Sequence, residues 1–579
     1  MSKTALQPRQ IDAMLQQAVS LQQNGAPDVA ETLYREILAA RPKHFDAIQL
    51  LGALTLQSGR LDEGIALLKR AIAIDAKQPA IHSNLAFALN ASQRYDDALA
   101  AANRALALRP DFADALNNRG NALAGLGHAD QALSSFERAL TVQPDFAQAW
   151  NNRACALRDL GRAADALASC DEAIARQPSY AEAWSNRGNA LSDLNRADDA
   201  QQSYRRALDL APGFADAWTN LGPTLIDLNR HADALASYDR ALQLQRDSPE
   251  AHWNRSICLL STGAFDEGWR EFEWRWERQR VKPEQRGFTQ ALWLGDTPLD
   301  GKTILLHAEQ GLGDTLQFCR YAADVARLGA TVILEVPPEL IRLLDGLAGV
   351  TQLVARGLPL PPFDCHCPLL SLPLAFHTTL STIPAATPYL FADPAMTRQW
   401  AERCTQTAPR GLKVGLVWAG GNRPHVTELR KNDARRSMSL ATLASLFDLP
   451  DVTFYSVQKG AAAQQLAAVN DTLDPARRIV DFTADLHDFA DTAALVANLD
   501  LVISVDTSTA HLAGAMAKPV WILNRFDTCW RWLLERDDSP WYPDATLFRQ
   551  AAPGEWDGVV ERVRASLAER AARTERAAQ

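Results

Sequence analysis

The chain has 579 residues, 47% of them hydrophobic, and no run approaches the roughly 18 consecutive apolar residues that a membrane-spanning helix needs. The first residues, MSKTALQPRQIDAML, lack the apolar core of a secretory signal, and eight cysteines without paired spacing indicate free thiols. The net charge of -10 argues against a nucleic-acid partner, because such proteins usually present a clustered basic face. These features predict a soluble, multidomain, cytoplasmic protein without a membrane span.

The first half of the chain is periodic. The segments FADALNNRGNALAGLG, FAQAWNNRACALRDLG, YAEAWSNRGNALSDLN and FADAWTNLGPTLIDLN follow one another every 34 residues. A period of this length indicates a solenoid. Apolar positions at helical spacing fall into two blocks separated by a turn near Gly127 or Gly161, so each unit is predicted to form two antiparallel helices.

These units resemble the tetratricopeptide repeat over about residues 10 to 280. Trp150, Trp184 and Trp218 match its first large apolar position. The small residue at which the two helices cross is matched by Ala132, Ala166, Ala200 and Ala234. We therefore assign residues 1–280 to an all-α superhelix.

One asparagine recurs on the first helix of each predicted pair. Its positions are Asn84, Asn118, Asn152, Asn186, Asn220 and Asn254. That helix usually lines the inner groove of such a superhelix, and a row of amides can hydrogen-bond the backbone of an extended peptide. The units resemble the repeats of eukaryotic protein O-GlcNAc transferases, in which this device is known. The alternative is that the asparagine caps or spaces the helices and recurs because the repeats were duplicated.

An aromatic segment, GAFDEGWREFEWRWERQR, comes after the last repeat. Its large apolar side chains, Trp269, Phe272, Trp274 and Trp276, are too dense for a solvated helix face. We expect them to attach the solenoid to the next domain of the chain, or only to cap its last repeat. The irregular residues 281–300 are predicted to be a linker.

The pattern changes after residue 300. The short apolar runs TILLHA, TVILEV, KVGLVWAG, VTFYSVQ, LDLVISVD and KPVWIL alternate with helical segments, which is typical of parallel sheets covered by helices. A proline-rich stretch, IPAATPYLFADP, separates two groups of strands, so we predict two Rossmann-like α/β lobes at 301–395 and 396–570. Ligands are expected between them, and residues 571–579 are predicted to be a disordered tail.

The first lobe contains a strand, a turn and a helix in the stretch AEQGLGDTLQF. Gly311 and Gly313 form the turn, but the stretch has neither the third glycine of the dinucleotide fingerprint nor the lysine of a phosphate loop. Asp314 begins the predicted helix and faces the expected cleft. It is a candidate general base for an incoming hydroxyl, or an ordinary N-cap residue.

The second lobe contains a similar junction in the stretch LDLVISVDTSTAHLAGAMAKPVWIL. Its polar residues are Asp506, Thr507, Ser508, Thr509 and His511. Backbone N–H groups and hydroxyls at a helix start can bind a diphosphate without any lysine. The alternative is again a plain helix cap.

Taken together, GLGDTLQF and SVDTSTAHLAGAMAKPVWIL resemble the paired motifs of the bacterial ADP-heptose:lipopolysaccharide heptosyltransferases, glycosyltransferase family nine. The resemblance spans about residues 301 to 570 and implies the GT-B fold, with the acceptor at the first lobe and the donor at the second. It implies that Asp314 is the catalytic base and that Gly311 and Gly313 shape the turn beside the acceptor. It places Thr507, Ser508 and His511 at the donor sugar and diphosphate.

The sequence departs from that family after the first strand of the second lobe. In that family this segment carries a lysine that meets the donor phosphate, whereas here it reads RKNDARRSMSL, and we take Arg435 and Arg436 as the nearest cations. The alternative is that both arginines belong to the solvated surface. Gln458 and Lys459, at the end of VTFYSVQKG, are expected to contact the nucleotide at the cleft edge.

A metal is not expected. Cys365 and Cys367 have no second ligand pair at metal spacing, which favours buried thiols, and the chain has no Asp-x-Asp pair. The sequence therefore predicts a metal-independent transferase without a cofactor, in which a helix start and arginines neutralise the leaving diphosphate.

The resulting hypothesis is a transferase that moves a sugar, from an ADP-heptose-like donor, to a polypeptide or other large acceptor recruited by the repeats. One alternative is an O-GlcNAc-transferase-like modifier that uses a UDP-sugar. The other is a non-catalytic repeat scaffold with a degenerate nucleotide-sugar-binding module.

Overall fold

The computed structural model describes residues 7–278, 286–407, 411–421 and 427–578. The chain divides into two compact units, Met1–Asn220 and Leu221–Gln579. In the described part of the chain, no helix is both long and apolar enough to cross a membrane.

The first unit is built from helices that pack in antiparallel pairs. These helices are α1 Pro8–Gln23, α2 Pro27–Ala40, α3 Phe45–Gln57, α4 Leu61–Ile74, α5 Pro79–Ala91, α6 Tyr95–Leu108, α7 Ala113–Gly125, α8 Ala129–Val142, α9 Ala147–Asp159, α10 Ala163–Arg176, α11 Ala181–Asp193, α12 Ala197–Leu210 and α13 Ala215–Asp227. The boundary between the two units lies inside α13. The predicted all-helical superhelix is confirmed.

The turns inside the pairs lie where the sequence predicts them. Gly127 and Gly161 have φ values of 79° and 73°, and Asn195, at the equivalent position of the next repeat, has a φ of 57°. Only glycine and, less readily, asparagine adopt this left-handed conformation at low cost, which explains the residues found there.

Small residues allow the paired helices to approach closely. Ala132 and Ala166 are fully buried. A Cβ atom at Gly120 would lie 2.4 Å from the ring of Phe136. The repeated tryptophans fix the preceding turns, because Nε1 of Trp150 and Trp184 each donates a 3.0 Å hydrogen bond to the carbonyl oxygen of a proline six residues earlier.

The second unit begins with helices and continues with two sheets. Its further helices are α14 His231–Leu244, α15 Pro249–Ser261, α16 Phe265–Phe272, α17 Leu312–Phe318, α18 Ala322–Arg327, α19 Ile341–Leu344, α20 Leu372–Ala375, α21 Pro394–Thr407, α22 Thr427–Arg436, α23 Gln465–Thr472, α24 Phe489–Ala497, α25 Ser508–Ala515 and α26 Asp557–Ala578. Its strands are β1 Ala291–Leu292, β2 Thr303–His307, β3 Thr331–Val336, β4 Gln352–Ala355, β5 Cys365–Pro368, β6 Leu412–Val417, β7 Val452–Ser456, β8 Val480–Asp481, β9 Leu501–Val505, β10 Val520–Asn524 and β11 Ala545–Arg549.

Both sheets are parallel between all neighbouring strands. The first has the order β1-β5-β2-β3-β4, and the second has the order β11-β10-β9-β6-β7-β8. Central strands are buried along nearly their whole length, as β9 shows with five buried residues. All six apolar runs quoted from the sequence form strands, so the predicted α/β architecture is confirmed.

Two predicted boundaries differ from the structure. Residues 291–292 lie in the predicted linker, yet they form β1, which pairs with β5, and the neighbouring Trp293 is buried. The predicted disordered tail is helical as far as Ala578, because its alanine, glutamate and arginine residues favour a helix and Glu569 pairs with Arg573 at 2.5 Å.

The aromatic segment packs on elements of the α/β part of the chain. Trp269 is 1% exposed, and its Nε1 donates a 3.1 Å hydrogen bond to the carbonyl oxygen of Thr378. Its ring lies 5.2 Å from that of Trp530 and 6.5 Å from that of Phe318. This confirms that the segment attaches the last repeat helices to the α/β part of the second unit.

Candidate functional site

Both carboxylate oxygens of Asp314, beside the glycine turn after β2, accept hydrogen bonds. The backbone N–H of Gly311, the N-cap residue of α17, donates to Oδ2 at 2.8 Å, which satisfies one free N–H group at the start of the helix. Oδ1 accepts a hydrogen bond from Nη2 of Arg531. The prediction that Asp314 begins the helix as its N-cap residue is wrong, because α17 starts at Leu312 and Gly311 is its N-cap. Asp314 instead supports the helix start from the third position, which does not exclude a role for its carboxylate in chemistry.

Arg531 is the principal site residue that sequence reasoning missed. It is 9% exposed, and its Nε donates to Oε1 of Gln317 at 2.7 Å. Burial disfavours its charge, but Asp314, Cys529 and Asp506 together outweigh this effect, and the pKa of the guanidinium is raised. The available signal was the stretch CWRWLLERDDSPWYP after β10, in which an arginine stands between two large aromatic residues.

The second motif begins α25 at the end of β9. Thr507 is the N-cap residue, and its hydroxyl lies 2.9 Å from that of Ser504. The preceding Asp506 accepts a 2.7 Å hydrogen bond from Nη1 of Arg436 at its carbonyl oxygen. Burial opposes ionisation of the Asp506 carboxyl, but His511 and the nearby arginines lower its pKa.

His511 is buried where the two motifs meet. Its Nδ1 lies 3.0 Å from the hydroxyl of Tyr542, and Nε2 lies 4.0 Å from Oδ1 of Asp506. Burial lowers the pKa of His511 to about 4 against the attraction of Asp506, so the ring is neutral at pH 7. A Cβ atom at Gly313 would lie 2.9 Å from Cδ2 of His511, so this glycine is required for the close approach of α17 and α25.

A cavity of about 240 Å³ lies beside the two motifs, and Asp314 and His511 are not among the residues that line it. Leu312 from the glycine turn lines it together with Thr507, Ser508 and Thr509 from the start of α25. The two motifs predicted to share a site thus border the same space. Its volume approaches the lower end of the range usual for small-molecule sites.

Gln458 and Lys459 also line the cavity, but most of their polar atoms are engaged by backbone groups. Oε1 of Gln458 accepts from the N–H groups of Trp418 and Ala419 at 3.0 and 2.9 Å. Nζ of Lys459 donates to two carbonyl oxygens at 2.7 and 2.9 Å. Gln458 therefore holds the end of β6, while a contact of either side chain with a nucleotide stays a prediction.

The two arginines at the end of α22 contact different partners. Arg435 forms a two-pronged pair with Asp227 at 2.6 and 2.7 Å, and it also bonds Asp527 at 2.8 Å. Arg436 pairs with Asp433 and bonds the backbone before α25. Neither arginine belongs to a merely solvated surface, since Arg435 holds the end of α13 and Arg436 supports the second motif.

The positive charge near the second motif is thus already matched by carboxylates. The pairs, in addition to those of Arg435, are Arg436 with Asp433, Arg525 with Asp527, and Arg531 with Asp314. An incoming diphosphate would have to compete with at least one of these carboxylates. The predicted neutralisation of a diphosphate by arginines therefore requires an exchange of partners.

The repeated asparagines are half-buried or buried, and three of them bond the preceding repeat. Nδ2 of Asn118 donates to the carbonyl oxygen of Ser83 at 3.0 Å. Asn152 and Asn186 donate in the same way to the side chains of Asn117 and Asn151, at 3.0 and 2.9 Å. Packing between repeats therefore explains this position at least in part, and a peptide groove stays a prediction.

Comparison with protein families matches the helical part of the chain. Models described as tetratricopeptide repeat match residues 21–86, 119–181, 185–249 and 219–271, and a model described as TPR repeat matches residues 88–127. The helical repeats are tetratricopeptide repeats.

The relatives found include one curated protein and several solved structures. Protein FlbA of Caulobacter vibrioides is 27% identical over 339 residues, which make up 55% of this chain and 55% of that protein. The chain therefore spans about half the length of this relative.

Two solved tetratricopeptide-repeat structures align with the chain over part of its length. One is a tetratricopeptide repeat protein from Parabacteroides merdae, with a TM-score of 0.37, 15% identity, and coverage of 43% of this chain and 98% of that chain. The other is YrrB, described as a TPR protein with an unusual peptide-binding site, with a TM-score of 0.26, 25% identity, and coverage of 32% and 95%.

The cysteines of β5 lie in the interior of the first sheet. Cys365 and Cys367 are buried, and burial raises the pKa of both thiols. Over the described ranges, no cluster of three or more histidine, cysteine or acidic side chains is arranged to hold a metal ion.

Proposed function

We propose that the chain is a glycosyltransferase that takes a sugar from a nucleotide-diphosphate sugar and transfers it to a polypeptide bound by the tetratricopeptide repeats. The GT-B fold and an ADP-heptose-like donor are part of this proposal. The observation that carries it is the contact between Gly313 and His511, because it brings the glycine turn next to a helix start with three hydroxyls, and Leu312 of that turn and the three hydroxyl residues line one cavity.

In the proposed reaction, an acceptor hydroxyl attacks the anomeric carbon of the donor sugar. The proton of that hydroxyl passes to Asp314, and the bond from the anomeric carbon to the diphosphate breaks with its electron pair on the diphosphate oxygen. Attack from the face opposite the leaving group inverts the configuration. Thr507, Ser508 and the backbone N–H groups at the start of α25 hold the diphosphate.

The donor site can be tested before an acceptor is known. A thermal-shift screen with ADP-heptose and UDP-sugars should raise the melting temperature with the correct donor, since a ligand of the folded state stabilises it by mass action. Thr507→Val together with Ser508→Ala should then weaken donor binding by about 1 to 3 kcal/mol in titration calorimetry.

The matched control for that variant is Thr546→Val with Ser445→Ala, which alters two exposed hydroxyl residues outside the cavity. Its donor affinity should equal that of the wild type. If a folded Thr507→Val, Ser508→Ala variant kept the donor affinity of the wild type, the diphosphate would not bind at the start of α25. Stabilisation by a UDP-sugar rather than ADP-heptose would favour the O-GlcNAc-transferase-like alternative.

The repeats supply the acceptor site in this proposal, because stacked repeats create an extended binding surface. Asn152→Ala with Asn186→Ala removes two amides from the ladder that the repeated asparagines form. We expect acceptor binding to weaken about fivefold or more, at about 0.5 to 1.5 kcal/mol for each of the two lost hydrogen bonds to the acceptor. The acceptor would be the polypeptide labelled by a radioactive sugar donor in a cell extract.

Asn117→Ala with Asn151→Ala is the matched control for the ladder. It breaks the same two bonds between repeats but leaves the ladder amides in place. Both double variants should keep their helical circular dichroism and lose a similar, small amount of stability. Equal loss of acceptor binding in the two variants would show that the ladder acts only through packing.

A further inference from the structure

The pair formed by Asp314 and Arg531 has a consequence for how the proposed transferase is activated, and this inference rests on the proposed function. A carboxylate that acts as a general base needs a lone pair facing the hydroxyl from which it removes a proton. Here Oδ2 is engaged by Gly311 and Oδ1 by Arg531. Each oxygen therefore already accepts one hydrogen bond, and the one at Oδ1 comes from a cation.

Arg531 is well suited to a change of partner. A guanidinium has five N–H donors, and oxygen acceptors engage Nε through Gln317 and Nη2 through Asp314. Nη1 donates to the sulfur of Cys529 at 3.3 Å, and sulfur is a weak acceptor. A phosphate accepts two parallel hydrogen bonds from an arginine and would use these donors better.

Two further buried N–H donors nearby have no hydrogen-bond partner. They are Nε of Arg436 and Nε2 of Gln317. Gln317 bonds Arg531 directly, while Arg436 bonds the backbone of Asp506. Buried donors are normally satisfied, and these two would be matched by a ligand rich in acceptor oxygens, such as a diphosphate.

We propose that Arg531 is an anion latch, which covers Asp314 before the donor binds and moves to the diphosphate when the nucleotide sugar enters. The exchange keeps the buried guanidinium paired with a negative group throughout, while the half-buried Asp314 carboxylate keeps its hydrogen bond from Gly311. It also uncovers Oδ1 of Asp314 only when a donor is present. Donor binding therefore precedes proton removal from the acceptor.

The latch makes Asp314 a competitor of the diphosphate, and this can be measured with inorganic pyrophosphate and ADP as probes. Asp314→Asn removes the competing charge, so titration calorimetry on the full chain should show about tenfold tighter binding of both probes. Arg531→Gln should weaken both by tenfold or more. The double variant should behave like Arg531→Gln alone, because the two residues act through one contact.

Three controls separate the latch from simpler effects. Asp538→Asn is a control because it removes an exposed carboxylate that lies a few residues after Arg531 and pairs with Arg536. It should leave probe binding unchanged. Arg531→Lys keeps the positive charge without the planar fork and should bind the probes with intermediate affinity. Thermal melts of each variant establish that it is folded.

Unchanged or weaker probe binding in a folded Asp314→Asn would overturn the latch. So would wild-type affinity in Arg531→Gln. If sugar transfer and donor binding are normal in the wild type while Asp314→Asn shows no gain, only the latch fails. If neither probe nor any nucleotide sugar binds the wild type at millimolar concentration, the proposed function fails together with it.

Discussion

Replacing Asp314 by asparagine should lower the rate of sugar transfer by about 10²- to 10⁴-fold, the range usual for loss of a general base. Asparagine keeps the size of the side chain and can still accept the hydrogen bond from Gly311, so α17 should remain capped. The affinity for the donor should not fall. Turnover under saturating donor, measured as release of the nucleoside diphosphate, is the readout.

A matched control is Asp324→Asn on α18, which removes another carboxylate of the same part of the chain, one that pairs with Arg327. Its turnover should stay near that of the wild type. Near-normal turnover in Asp314→Asn would leave that residue as a helix cap. Glu309 is a poor substitute as a base, because Nε and Nη2 of Arg275 bind its carboxylate at 3.1 and 3.0 Å and bury it.

Replacing Arg275 by methionine should lower the free energy of unfolding of the second unit by about 3 to 5 kcal/mol. Arg275 is 1% exposed and bonds Glu309, Glu273 at 2.7 Å, Ser371 at 2.7 Å and the carbonyl oxygen of Phe272 at 3.2 Å. Without it, the carboxylates of Glu273 and Glu309 would lose their shared cation. Chemical denaturation followed by tryptophan fluorescence would measure the loss.

Arg270→Ala is the matched control for this loss. Arg270 pairs with Asp266, but both side chains are 62% exposed, and such pairs contribute only about 0 to 1 kcal/mol. Neutralising the partners as well, with Glu273→Gln and Glu309→Gln added to Arg275→Met, should restore part of the lost stability. A folded Arg275→Met variant with wild-type stability would contradict the role given to this network.

Local sequence patterns determined the elements of this protein. The period of 34 residues predicted paired helices because each repeat must bury the same apolar positions against its neighbours. Gly127 and Gly161 marked the turns because few residues adopt positive φ. The apolar runs predicted strands buried on both faces, and the two polar junctions Gly311–Asp314 and Asp506–His511 identified where strands give way to helices.

The tertiary structure alone decided which of those polar residues face one another. Asp314 and Arg531 are 217 positions apart, and no local pattern indicates that they form a pair. The amides of Asn152 and Asn186 looked available for a peptide until the stacking of the repeats placed an acceptor beside each. The reason is physical: periodicity and turn preferences act within a few residues of the chain, whereas ion pairs and hydrogen bonds between elements depend on how those elements pack.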